Sequence, residues 1–180
     1  LTSGFNPAKV MGMAGILDTA RYRAFLASEL NISPKEIQAV LMGGHGDTMV
    51  PLPRYTTVAG IPVTELVPAD RLHAIVDRTT NGGAELVKLM GTSAWYAPGA
   101  AAAQMAESIA RNERRVFPCC VWLQGEYGLK DIFLGVPVIL GQNGVEKIIE
   151  LDLNADEKAL LNNSAGAVKT VMNVLDGMKL

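Results

Sequence analysis

Hydrophobic positions along this chain change period several times, and each period predicts an element. Val10-Met11-Gly12-Met13-Ala14-Gly15 reads as a short strand ending in flexible backbone. From Ile16 to Leu30 the apolar residues fall at 17, 20, 24, 27 and 30, the spacing of a helix, and Asn31-Ile32-Ser33-Pro34 stops it. Ile37 to Met42 is a short apolar run that predicts a buried strand. Tyr55–Ala59 and Ile61–Val63 flank Gly60 and predict a small hairpin. One long helix is predicted over Ala69–Met90, with Leu72, Ile75, Val76, Leu86, Val87 and Met90 as its apolar stripe. Asn81-Gly82-Gly83 interrupts that helix and predicts a kink or a close helix contact. His73 falls at the edge of the stripe and reads as structural.

Gly91-Thr92-Ser93-Ala94-Trp95-Tyr96-Ala97-Pro98 reads as a loop entering a further helix, with Pro98 in its first turn. Alanines 100–103, Met105, Ala106, Ile109 and Ala110 give that helix an unusually small-residue surface. Three apolar strands are predicted next, over Val116–Leu123, Val136–Leu140 and Val145–Leu151. Gly125-Glu126-Tyr127-Gly128 turns after the first, and Asn143-Gly144 joins the last two with a strong hairpin signal. Asn154-Ala155-Asp156-Glu157 has the form of a capping box opening a last helix. Leu160, Leu161, Ala165, Val168, Val171, Met172 and Leu175 form its predicted core face, and Gly177 fits its end.

The chain has 180 residues, enough for one good-sized domain or two small ones. Hydrophobic residues at 49% and charged residues at 19% can bury a large core and exclude a disordered chain. A net charge of -2 gives no electrostatic reason to expect nucleic acid as a partner, and no apolar run is long enough to cross a membrane. Leu1-Thr2-Ser3-Gly4-Phe5 lacks the basic start and apolar segment of a leader. The turn-like Ser3-Gly4-Phe5-Asn6-Pro7 reads as the middle of a longer polypeptide. Cys119 and Cys120 are adjacent, too strained to bridge each other, and are expected on opposite faces of one strand. With no leader and no cluster of metal ligands, two reduced thiols point to the cytoplasm.

Candidate chemistry gathers at Met42-Gly43-Gly44-His45-Gly46-Asp47-Thr48-Met49-Val50-Pro51. The glycines let a ligand approach the backbone closely, and His45 stands at a predicted strand end with no bulky neighbour beside it. Spacing alone leaves two readings open: a turn histidine satisfied by backbone, which is the commoner case, or a proton-transfer group. Asp18 and Arg21 sit three apart at the start of a predicted helix and share a face. From spacing alone the favoured reading is an N-cap with a solvated charge, with paired functional groups as the other.

Three stretches together resemble the lactate and malate dehydrogenase family: Gly12-Met13-Ala14-Gly15-Ile16-Leu17-Asp18-Thr19-Ala20-Arg21, Gly43 through Pro51, and Ser93-Ala94-Trp95-Tyr96-Ala97-Pro98-Gly99. The likeness runs over essentially the whole chain and is nearest to the bacterial malate dehydrogenases of lactate dehydrogenase type. It implies the family's carboxyl-terminal half: an α+β domain of helices packed on a twisted, mostly antiparallel sheet, spanning residues 1–180. By the resemblance, His45 is the general acid/base, Asp18 the carboxylate on its other ring nitrogen, and Arg21 the grip on a substrate carboxylate. Ser93 and Ala94 would line the substrate pocket, and His45, Met49 and Pro98 would face the cofactor. The implied reaction is reversible oxidation of malate to oxaloacetate with NAD, with lactate or another 2-hydroxyacid as the alternative substrate. A small-molecule dicarboxylate is therefore the expected partner, in a cytoplasmic homodimer or homotetramer. The chain has no Gly-x-Gly-x-x-Gly after a strand, so the dinucleotide-binding (Rossmann) half of the family lies outside this sequence. The chain alone is then expected to be inactive, or in isolation to act as an oligomerisation module.

Overall fold

A computed structural model describes residues 3–178; the leader reading of Leu1 and Thr2 lies outside the described residues. Helix α1 spans Ala14–Leu30 and ends on Asn31, whose left-handed backbone (φ 54°) closes the last turn. The expected strand before it is only a single bridge between Gly12 and Cys120. Short apolar runs do not separate strand from helix, and here the helix starts two residues earlier than its apolar period begins. The buried positions of α1 are Ile16, Asp18, Thr19, Tyr22, Leu26 and Ala27, whereas Ala20 and Ala24 of the expected stripe are exposed. Three of the buried residues, Asp18, Thr19 and Tyr22, are polar or amphipathic, so an apolar count misplaces the inward face.

The run 37–42 divides into β1 (Ile37–Gln38) and β2 (Leu41–Gly43), which belong to different sheets. After β3 (Met49–Pro51) the chain forms the expected hairpin from β4 (Thr57–Val58) and β5 (Ile61–Pro62), with Ala59 and Gly60 both at positive φ in the turn. These two join β1 in a small sheet of order β1-β4-β5. A short helix, α2 (Val63–Leu66), leads to α3 (Ala69–Met90), whose bounds match the sequence reading. Only its first part is buried, at Leu72, Ile75, Thr79 and Gly82; Leu86, Val87 and Met90 are exposed. His73 is exposed on this helix and packs in no core.

Helix α4 (Tyr96–Ala110) precedes the long hairpin of β6 (Arg115–Gln124) and β7 (Lys130–Gly141), and β8 (Gly144–Ile148) pairs back on β7. The main sheet runs β3-β2-β7-β6 with β8 on β7, and every strand pair among the described residues is antiparallel. The fold is thus the α+β class read from the sequence. β7 begins six residues before its expected start, and β8 stops at Ile148 rather than Leu151. Cys119 is fully buried and Cys120 half-buried, as alternation along β6 requires, and burial pushes the Cys119 thiol up to about 12.

Helix α5 (Ala155–Gly177) closes the domain over β2, β3 and β7. Its capping box is formed: Asn154 Oδ1 accepts from the Glu157 backbone N–H at 2.9 Å, and Glu157 Oε2 accepts from the Asn154 N–H at 2.9 Å. Leu161 and Ala165 are buried, but Leu160, Val171 and Leu175 of the expected core face are exposed. Glu157 also receives Nε and Nη2 of Arg54, at 3.0 and 2.9 Å, which holds its carboxyl below the ordinary 4.5. A depressed carboxylate stabilises the fold above its unfolded value, and that contribution is lost as pH falls through the folded value. Glu157→Gln is therefore expected to lower the thermal midpoint at neutral pH, and the gap to the parent protein should close as pH falls below 4.5. A gap that stays constant in an acid melting series would contradict this.

Candidate active site

Three elements converge on one cleft. Helix α1 supplies Asp18 and Arg21 from adjacent turns of its inner side. β2 ends at Gly43, and the chain reaches His45 two residues later, just before a single 3-10 turn at Gly46–Thr48. Gly43 has φ +83° and lies against Gly135 of β7, where a Cβ added to Gly135 would come within 2.5 Å of the Gly43 carbonyl. The close pairing leaves no room for a Cβ at Gly135, while Gly43 is held to glycine by its positive φ and by Ser164 Oγ, which an added Cβ would meet at 2.6 Å. The Gly44 N–H donates to Ser164 Oγ of α5 at 2.7 Å, so the last helix pins the loop that carries the histidine.

Asp18 is 1% exposed, and its two oxygens are divided between two partners. Oδ2 meets His45 Nδ1 at 2.8 Å, and Oδ1 accepts from Arg21 Nη1 at 3.2 Å. Burial pushes the Asp18 carboxyl above its ordinary 3.8, against the opposing pull of His45 and Arg21. The His45 side chain remains 54% exposed, with Nε2 as the ring nitrogen not held by Asp18. Arg21 Nη1 also approaches the Thr79 carbonyl at 3.5 Å, which ties it to α3.

These groups open onto a cleft of about 600 Å³, to which Arg21, His45, Ser93, Ala94 and Pro98 all contribute. Leu17, Leu86, Val87 and Ala97 give it apolar walls. Met49 does not reach the cleft; it is 7% exposed in the core beside Tyr22, Leu26 and Leu41. Its place follows from strand alternation in β3, which turns it away from the side that His45 serves. Two contributors escaped the sequence reading: Ser164, a lone buried hydroxyl among apolar residues of α5, and Thr79, a polar residue on the buried face of α3. In both cases the available signal is a polar residue at a buried helical position. The close helix contact expected at Asn81-Gly82-Gly83 is present, with Gly82 against the Arg21 stem of α1.

No group of His, Cys, Asp and Glu among the described residues could hold a metal ion. The apolar walls at Leu17, Val87 and Pro98 suit one face of a flat ring. A pyrophosphate cradle of the dinucleotide type is not found among the described residues.

A family described as lactate/malate dehydrogenase, alpha/beta C-terminal domain, matches residues 16–176. The chain belongs to the lactate/malate dehydrogenase family. The malate dehydrogenase of Cytophaga hutchinsonii is 68% identical over 178 residues, covering 99% of this chain and 57% of that protein. The malate dehydrogenase structure from Salinibacter ruber superposes with a TM-score of 0.97 at 59% identity, over 98% of this chain and 58% of the other. A malate dehydrogenase from Plasmodium falciparum, solved in complex with NADH, superposes with a TM-score of 0.94 at 37% identity, over 98% and 60%. The chain therefore spans a little over half the length of its family relatives, and what it matches in them is the C-terminal domain of lactate/malate dehydrogenases.

Proposed function

We propose that residues 1–180 form the catalytic and substrate-binding half of an NAD-dependent malate dehydrogenase, acting reversibly on malate and oxaloacetate. The observation that carries this reading is the divided Asp18 carboxylate, which holds His45 on one oxygen and Arg21 on the other at the wall of a single cleft. Asp18 holds Nδ1 of the imidazole and leaves Nε2 for substrate. In keto-acid reduction His45 gives its proton at Nε2 to the keto oxygen, and in oxidation it takes the hydroxyl proton back. Through the Nδ1 contact Asp18 fixes the orientation and tautomer of the ring during both events. Arg21 offers a planar guanidinium for two parallel hydrogen bonds to a carboxylate. When bound, NAD supplies the hydride acceptor, with Val87 and Pro98 as the walls for its nicotinamide ring.

Ser93 and Ala94 are small and leave room in the cleft, which supports a dicarboxylate over pyruvate. The malate dehydrogenase names of the relatives support the same choice. Completion of the cofactor site falls to a nucleotide-binding half of the full-length polypeptide, and in our reading these 180 residues alone carry no turnover. The cytoplasm and a homodimer or homotetramer complete the proposal.

Arg21→Lys in the full-length polypeptide tests the anchor. A lysine keeps the charge but makes one directed contact where the guanidinium makes two. The Michaelis constant for oxaloacetate is expected to rise about tenfold or more, with a smaller loss in turnover. An unchanged Michaelis constant would remove Arg21 from the site.

A further inference from the structure

Gly82 lies in the interior of α3 and is buried on the same face as Leu72, Ile75 and Thr79. At that spacing an amphipathic helix ordinarily carries a branched apolar side chain. A Cβ built on Gly82 would fall 2.5 Å from Cδ of Arg21 and 3.0 Å from its Nε. The space a side chain would fill is therefore taken by the arginine stem. Gly83 differs, because a Cβ there would meet only Nη2 of Arg21, at an ordinary 3.9 Å. Just before Gly82, three residues fold their side chains back onto their own helix. Thr79 Oγ1 donates to the Ile75 carbonyl at 2.7 Å, Thr80 Oγ1 to Val76 at 3.1 Å, and Asn81 Nδ2 to Asp77 at 2.9 Å. Such back-bonding satisfies these polar groups within the helix, while the Thr79 carbonyl still meets Arg21 Nη1.

We propose that Gly82 is a positioning residue for Arg21: the missing side chain lets the arginine stem cross α3, and this fixes where the guanidinium meets the substrate carboxylate. The inference rests on the reading of Arg21 as the carboxylate anchor. Two-point recognition needs the guanidinium plane set in both place and tilt. Asp18 and the Thr79 carbonyl hold Nη1, and the bare backbone at Gly82 sets the course of the stem toward the cleft. A methyl group at Gly82 would push Cδ aside. What yields is a flexible side chain rather than backbone, and alanine favours helix over glycine, so the variant keeps the fold. The displaced guanidinium then meets the carboxylate with one contact out of place.

Steady-state kinetics on the full-length polypeptide with oxaloacetate test this. Gly82→Ala is expected to raise the Michaelis constant about tenfold while turnover stays within about threefold. Gly82→Ser sets its Cβ at the same point and should show the same rise. Gly166→Ala makes the same exchange in α5, where an added Cβ meets nothing within 4 Å, and should leave both constants unchanged. In an Arg21→Ala background the stem is gone, so Gly82→Ala should lower kcat/KM no further. An unchanged Michaelis constant in both Gly82 variants, with a large rise in Arg21→Ala, would overturn the role of Gly82 and leave the anchor standing. Gly82→Ala losses of equal size in both backgrounds would also overturn it, since the effect would then bypass Arg21. An Arg21→Ala protein with an unchanged Michaelis constant would sink the anchor reading and this inference together.

Discussion

His45→Asn in the full-length polypeptide is expected to lower turnover by at least about 100-fold, the scale of a lost general acid/base. Asparagine is close to histidine in reach and can still hydrogen-bond Asp18, but it neither gives nor takes a proton near neutral pH. The loss should fall on turnover more than on the Michaelis constant, because Arg21 and the cleft walls remain in place. Stability should change little, since the His45 side chain is 54% exposed and its one side-chain tie among the described residues is to Asp18. Steady-state rates with oxaloacetate, beside a thermal melt of each protein, check both halves. Near-normal turnover in a folded variant would end the assignment of His45 as the proton carrier.

Asp18→Asn is expected to be the other large effect, with turnover down about 100- to 10,000-fold. The carboxylate accepts on both oxygens, from Arg21 on one and the imidazole on the other. An amide accepts on one atom only and donates from the other. If its NH2 faces Arg21, two donors oppose each other. If it faces His45, Nδ1 must become an acceptor, and the ring proton moves to Nε2, where the base is needed for the oxidation. Either arrangement spoils one function of the site. The variant also leaves the largely buried Arg21 guanidinium, 12% exposed, without its counter-charge, at a cost of about 1–3 kcal/mol. Turnover within about tenfold of the parent would mean that Asp18 is structural only.

Much of the site was legible because it is written locally. Asp18 and Arg21 share a helical face by spacing alone, and the glycines around His45 mark a strand end where backbone must come close. The same local signals carried α3, the Ala59-Gly60 hairpin, the Asn143-Gly144 turn and the capping box at Asn154. What the sequence did not convey is which side of an element faces inward when a polar group is buried there. In α1 the burial of Asp18 and Tyr22 rotates the inner face away from Ala20 and Ala24. In β3 the register sends Met49 to the core, although it stands only four residues from His45. The exposed second half of α3, from Leu86 to Met90, is apolar by composition, so its stripe reads as core when it borders the cleft and solvent. The pairing of residues 37–38 with β4, away from the sheet of β2, and the tie from Ser164 to Gly44 depend on partners 19 to 120 residues away, which no window of sequence contains.

We propose that Asp18, His45 and Arg21 together serve the interconversion of malate and oxaloacetate. The most direct test is the loss of NADH absorbance by the full-length polypeptide when oxaloacetate is added, measured beside pyruvate under the same conditions. The expected result is a loss that depends on oxaloacetate and is slower with pyruvate. No oxaloacetate-dependent loss, or a clear preference for pyruvate, would contradict it.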